Sequence, residues 1–466
     1  MCDIIIKNAL VFDGTASRPF KADLALKGQN ICDVGRLDHA RAETVIDAGG
    51  CAVAPGFIDM HSHADFSLPV NPTADSLLHQ GITSAVVGQC GLSPAPLLEE
   101  TCQEVVGALG GFFSGVAQAL PWREWNSVED YLDFLTRGGV SLNVLPLVGQ
   151  GVIRASVMGF SEGDTLLEAV AEAIRIGRES GASVQISHFK AARQSNWAKS
   201  SQALELIRQA RLQGLDITAD LYPYRAGSTS LATLLPEWAH VGGPAQTLKR
   251  LADPEQRRKM TADMKSGGFA RGVEFKDVLI TSSPRHTAYE GRYISDLAAA
   301  GQSPYAWLFD ALVQTELDMA MAVFGMSEAN RLQEIQYPGM MIGTDGTGLA
   351  TSGPMARGVP HPRNYGAFPR VLGRFVRDLK VIELEEAIYK MTGLPAKKLR
   401  LHDRGLIKPG LAADLVVFDP ATVSDTATYD QPHQYAKGIF HVIVNGQFVI
   451  RDATHTGNRP GEILKF

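Results

Sequence analysis

His61 and His63 close the run Pro55-Gly56-Phe57-Ile58-Asp59-Met60-His61-Ser62-His63. Side chains two apart in a strand point the same way, so the pair would sit on one face at the end of an apolar strand. Two imidazoles held like that can grip a divalent metal, although a three-residue motif also arises as two solvent-facing histidines. Cys90, in Gly88-Gln89-Cys90-Gly91, ends a second apolar run. As a thiolate it is a soft ligand able to bridge two metals; as a thiol it is a small buried hydrophobe. Ser187-His188-Phe189-Lys190 repeats the spacing, with His188 as a further candidate ligand and Lys190 as a cation suited to a carboxylate. Asp345, in Ile342-Gly343-Thr344-Asp345-Gly346, is a carboxylate that could take a proton from water and pass it to a leaving amine, or simply serve an Asp-Gly turn. Tyr222 and Tyr224 (Asp220-Leu221-Tyr222-Pro223-Tyr224) and Arg363 (His361-Pro362-Arg363-Asn364) add a neutral donor and a planar fork for a carboxylate, or ordinary packing. No glycine-rich phosphate loop or serine nucleophile elbow appears.

These residues need strand ends to hold them. Apolar runs at 56–61, 83–88, 142–148, 184–188, 216–221 and 340–345 end in polar residues, and helical patterns such as 166–180 and 203–213 follow. That alternation is the signature of βα units on a parallel sheet. The two ends of the chain read differently. Residues 3–12, 22–27 and 30–34 predict short strands, and so do 414–418, 441–444 and 447–450, the last two joined by Asn445-Gly446. One β-domain built from both termini is expected, residues 1–54 with 396–466, around a barrel of residues 55–395. Residues 231–336 break the rhythm and predict a helix-rich inserted lid with one strand-like run, 278–281.

The composition bounds the partners. In 466 residues, 45% hydrophobic and 20% charged, disorder and fibrous classes are excluded. A net charge of −6 with scattered Lys and Arg gives no footprint for nucleic acid or anionic lipid. No run approaches the ~18 apolar residues of a membrane span, and Met1–Lys7 lacks the pattern of a secretory signal. Five scattered cysteines (Cys2, Cys32, Cys51, Cys90, Cys102) do not form a disulfide framework, which favours a cytoplasmic location.

Taken together, the sequence resembles the N-acyl-D-amino-acid deacylases (D-aminoacylases) of the amidohydrolase superfamily. The likeness runs through residues 55–63, 88–91, 185–190, 220–224, 343–346 and 361–366, and through the C-terminal stretches 403–410, 413–419, 427–429 and 456–461. It implies an α/β fold: a TIM-like (β/α) barrel of the metal-dependent amidohydrolase type, a small β-sandwich from both termini and an inserted lid. It also implies one or two zinc ions at His61, His63, Cys90 and His188, with Asp345 as acid/base. Lys190, Arg363 and Tyr222 would hold the α-carboxylate of an N-acyl-D-amino acid.

The chain departs from that pattern after Phe160. A (β/α)₈ barrel needs eight strands, and six are recognisable. Two family units, one bearing a further zinc-ligand histidine, have no counterpart where Val157-Met158-Gly159-Phe160 meets Ser161-Glu162-Gly163-Asp164. At ~30 residues per unit, about 60 residues are missing, and the barrel is expected to be incomplete. The favoured function is zinc-dependent cleavage of N-acyl-D-amino acids, with hydrophobic side chains as the default substrate. A hydantoinase- or dihydroorotase-like cyclic amidase and an inactive scaffold that has lost its metal site are the alternatives.

Overall fold

The computed structural model describes residues 1–96, 120–149, 166–298 and 301–465. Cys102 and the junction at residues 157–164 lie outside them. Strands β1 (Cys2–Val11), β2 (Phe20–Lys27), β3 (Asn30–Gly35), β4 (Ala42–Asp47) and β5 (Ala52–Pro55) open the chain. Five parallel strands follow: β6 (Phe57–Asp59), β7 (Ile82–Val87), β8 (Asn143–Pro146), β9 (Val184–Ile186) and β10 (Ile217–Leu221). The insertion carries β11 (Ala226–Ser230), β12 (Val278–Ser282) and β13 (Ala320–Phe324), after which β14 (Met340–Ile342) rejoins the parallel set. The chain closes with β15 (Leu415–Phe418), β16 (Ile439–Val444), β17 (Gln447–Arg451) and β18 (Thr454–His455).

The terminal strands form one nine-stranded sheet in the order β18-β17-β16-β15-β5-β1-β2-β3, with β4 beside β1. Alternate apolar residues of these strands, among them Ile4, Ile6, Leu24, Leu26 and Leu415, share a core of their own. At the β16–β17 hairpin, Asn445 and Gly446 have φ of 46° and 77°, the left-handed pair that a tight two-residue turn demands. Strands β4 and β5 were not anticipated, being short runs whose partner β1 lies far back in the sequence.

The insertion holds three antiparallel strands in the order β11-β13-β12, where the sequence indicated one. The Gly- and Ser-containing Ala226–Ser230 and the alanine-rich Ala320–Phe324 have weak strand propensity, and only their mutual pairing makes them strands. A separate core including Leu251, Met260, Leu308 and Leu312 supports this unit.

The parallel strands form two three-stranded sheets, β6-β7-β8 and β14-β10-β9. Backbone bonds at their tips join them between β6 and β14: Met60 N to Ile342 O (3.3 Å), Asp345 N to His61 O (2.7 Å) and His63 N to Gly346 O (2.7 Å). Gly343 permits this approach, since a Cβ there would lie 2.7 Å from the His61 Cβ. The result is a barrel wall of six strands in the order β8-β7-β6-β14-β10-β9. Among the described residues, β8 and β9 do not pair with each other, and this interruption falls where the sequence lacks two units. The outer edge of β8 is covered from the C-terminal tail. Val144 N bonds Glu462 O (2.9 Å), Leu464 N bonds Val144 O (2.8 Å) and Gly461 N bonds Val140 O (2.8 Å). Helix Leu166–Ser180 packs against β9 and helix Lys199–Leu212, burying Val170, Ile174 and Gly177 on one stripe.

Candidate functional site

The parallel strands deliver the candidate residues to one place. Donor atoms of His61, His63, Cys90 and Asp345 all lie within 4.8 Å of one another. His61 Nε2 is 3.3 Å from Cys90 Sγ and 3.6 Å from Asp345 Oδ1, and His63 Nε2 is 3.2 Å from Asp345 Oδ1. A tetrahedral ion with arms of ~2.0–2.3 Å keeps its donors about 3.3–3.6 Å apart, so these separations suit a single zinc-sized cation. His188 reaches the group through the sulfur, with Nε2 3.2 Å from Cys90 Sγ. Cys90, His188 and Asp345 have φ of 56°, 37° and 50°. A left-handed backbone at three chemistry-bearing residues costs about 1 kcal/mol or more each and persists because the surrounding strands dictate it.

Glycine at position 88 allows Cys90 to reach inward. Gly88 has φ of 81°, and a Cβ there would come within 2.1 Å of Leu147 O on the neighbouring segment.

Charges in the cluster reinforce one another. Burial opposes ionisation of Asp345, but Arg363, His61 and His63 outweigh it and hold the carboxyl well below the usual carboxylate range. Burial likewise disfavours the Cys90 thiolate, yet His188, His61 and His63 bring the thiol down to about 3. It is therefore a thiolate at neutral pH, as a metal ligand must be. Burial lowers His63, while Asp345 and Cys90 raise it to about 9. His61 is raised well above its ordinary value against burial, chiefly by Asp220.

Carboxylates that the sequence reading did not assign hold this constellation in place. Asp220 Oδ1 lies 3.3 Å from His61 Nδ1 and accepts the His188 backbone N–H at 2.8 Å, while Oδ2 takes the Gln185 amide at 2.8 Å. Asp59 accepts from Thr344 N (2.9 Å) and Thr344 Oγ1 (2.6 Å), tying β6 to β14. Burial pushes its carboxyl up to about 7. Asp65 accepts the Gly88 N–H at 3.0 Å and links the loop after His63 to β7. A sequence signal existed for Asp59, which shares the period-2 spacing of His61 and His63, whereas Asp65 sits in the 3₁₀ turn Ala64–Phe66 beyond that alternation.

Of the predicted carboxylate-binding residues, Lys190 and Arg363 line one cavity, and Tyr222 is buried against them. A cavity of about 320 Å³ is lined by Cys90, His188, Lys190, Phe269, Met326 and Arg363, among others. Arg363 Nη1 donates to Asp345 Oδ2 at 2.7 Å, its guanidinium lies 4.8 Å from the Tyr222 ring centroid, and Lys190 Nζ lies 5.5 Å from the same ring. The buried Tyr222 hydroxyl has no hydrogen-bond partner among the described residues. Tyr224 is turned elsewhere, toward Asp425 and Pro362 O. His361 donates from Nε2 to Ala226 O (3.0 Å) and accepts the Arg363 N–H at Nδ1 (3.0 Å), fixing the start of the helix that carries Arg363.

The amidohydrolase family model matches residues 44–220 and 340–450. An N-acyl-D-glutamate deacylase of Alcaligenes xylosoxydans xylosoxydans is 32% identical, with 99% of this chain and 96% of that protein covered. The alignment runs over 520 positions against 466 residues here, so at least 54 of them (520 less 466) face a gap in this chain. Among solved structures, an N-acyl-D-glutamate deacylase from Bordetella bronchiseptica, complexed with zinc and a phosphonate mimic of the tetrahedral intermediate, superposes with a TM-score of 0.81 at 28% identity over the whole of both chains. A D-aminoacylase structure that addresses a binuclear metal centre, with one-metal activation and second-metal attenuation, gives a TM-score of 0.79 at 30% identity, again over both whole chains.

Proposed function

The chain belongs to the amidohydrolase family, and on that premise we propose that it is a zinc-dependent hydrolase that cleaves the amide of N-acyl-D-amino acids to a carboxylate and a free D-amino acid. The observation that carries this reading is the convergence of His61, His63, Cys90 and Asp345 at a cavity that also presents Lys190 and Arg363. Metal donors and a carboxylate clamp in one cavity suit a substrate with an amide close to a carboxylate.

His61, His63 and Cys90 would hold zinc, with Asp345 Oδ1 beside them. A bound zinc supplies Lewis acidity, polarising the acyl carbonyl and acidifying water. Asp345, ionised by its cationic neighbours, accepts the proton of the attacking water and delivers it to the amide nitrogen as the C–N bond breaks. Lys190 and Arg363 pair with the α-carboxylate, and the unpartnered Tyr222 hydroxyl donates to it. Chirality is then read by where the clamp lies relative to the metal donors. Phe269, Val273, Val323 and Met326 give the wall an apolar stretch, which supports hydrophobic substrate side chains, although Arg193, Ser228, Thr229 and Thr233 line the same cavity. The four described cysteines form no disulfide, which supports a cytoplasmic location, and no described helix is long and apolar enough to cross a membrane.

The test is release of amino acid from N-acetyl-D-leucine and N-acetyl-L-leucine by the full chain with and without zinc. Zinc-dependent turnover of the D form is expected. Equal rates on both enantiomers would overturn the stereochemical assignment, and zinc-independent turnover would overturn the metal assignment. Opening of a hydantoin ring without action on acyclic substrates would instead establish the cyclic amidase.

A further inference from the structure

Cys90 has imidazole neighbours that are unequal in this chain. His61, His63 and Asp345 complete with the sulfur a four-donor group. His188 stands outside that group, 3.2 Å from the sulfur, with its ring centroid 4.8 Å from that of His61. Among the described residues, a second ion held through His188 would have Cys90 and His188 from the protein, one short of the three protein ligands usual for catalytic zinc. The described neighbours do not supply the third. Asp220 is spent on His61, the His188 N–H and Gln185. Gln89 donates to Met60 O and accepts from Ser187 Oγ. Lys190, two residues beyond His188, lines the same cavity and brings a positive charge. All twelve histidines of the chain are among the described residues, so no imidazole is available from elsewhere.

We propose that this chain holds a single divalent ion, in the site of His61, His63, Cys90 and Asp345, and that His188 acts as a positioning residue that hydrogen-bonds the Cys90 sulfur rather than as a ligand. The inference rests on the metal reading given above. It differs from the binuclear centre addressed in the related D-aminoacylase structure. Two features suit His188 to that part. Its backbone N–H is fixed by Asp220, which also engages His61 Nδ1, so one carboxylate sets the imidazole and the thiolate's partner together. A donor on a metal-bound thiolate withdraws electron density from the sulfur and so alters the metal–sulfur bond without occupying a coordination position.

Metal analysis of the full chain dialysed against increasing zinc tests the stoichiometry, and cobalt substitution tests the roles through the sulfur-to-cobalt charge-transfer band. One ion per chain is expected at saturation, with no second binding phase in excess zinc. His188→Ala should keep one cobalt and its charge-transfer band at a shifted energy, whereas His63→Ala should weaken cobalt binding by roughly 100-fold. Two ions per chain, or loss of the ion from His188→Ala with retention in His63→Ala, would overturn the proposal. Failure to bind any ion would overturn the metal reading beneath it as well, and that result is distinct from either of the others.

Discussion

Asp220 Oδ1 stands 3.3 Å from Nδ1 of His61, on the side of the ring opposite the donor atom that faces Cys90 and Asp345. A carboxylate in that position fixes the tautomer and makes Nε2 a better donor. Asp220→Asn keeps the shape and removes the charge. Zinc affinity, measured by competition with a chromophoric chelator, is expected to fall by about 10–100-fold. Unchanged affinity would remove Asp220 from the supporting role.

Asp345 carries the proton in the proposed reaction. At saturating zinc, Asp345→Asn is expected to lower kcat by roughly 10²–10⁴-fold, since an amide cannot accept the water's proton. Steady-state kinetics on an N-acetyl-D-amino acid measure this, and normal turnover would exclude Asp345 as the acid/base.

Among the described residues Lys190 forms no ion pair with a carboxylate of the site, whereas Arg363 shares itself with Asp345. Lys190→Met should raise KM roughly 10- to 100-fold with little change in kcat, the size of one charge-assisted bond of ~1.5–3 kcal/mol. A substrate whose α-carboxylate is converted to an amide should bind wild type and variant alike. If both substrates are affected equally, Lys190 does not read the carboxylate.

His361 supplies a pH dependence of stability. Burial first, then Arg363, lowers its pKa well below the ordinary 6.5, so the folded ring stays neutral where the unfolded one takes a proton. Stability is therefore fully present above pH ~6.5 and declines as pH falls below it, by up to about 1.4 kcal/mol per pH unit for this one group. Denaturant unfolding between pH 7 and pH 5 should show a slope reduced by about that amount in His361→Gln. An unchanged slope would mean that the folded ring is protonated.

The tail at residues 461–464 covers the outer edge of β8. Truncation after Pro460 should remove three backbone hydrogen bonds and the packing of Ile463 and Leu464, at a cost of about 2–4 kcal/mol. It should also expose a strand edge able to pair with another chain. Thermal unfolding and light scattering would show the loss of stability and the association. A truncated chain as stable and monodisperse as the full one would show that the edge needs no cover.

The chemistry-bearing residues were legible in the sequence because each ends a strand. Period-2 alternation puts His61 with His63, and apolar runs place Cys90, His188 and Asp345 at the same kind of position. The same regularity made the shortfall in strands visible, since a missing βα unit removes a whole run rather than a single residue. What the sequence could not decide is which of those strand ends face one another. Asp220 and Asp59 entered the site only when β10 and β14 were laid beside β6, because a buried carboxylate takes its role from whichever neighbour it meets across strands. The unequal neighbours of Cys90 have the same origin: one sulfur atom after β7 gains donors from the ends of β6 and β14 and, from the end of β9, a single imidazole among the described residues. Local pattern fixes what each residue can do, whereas contacts between the ends of different strands decide what it does.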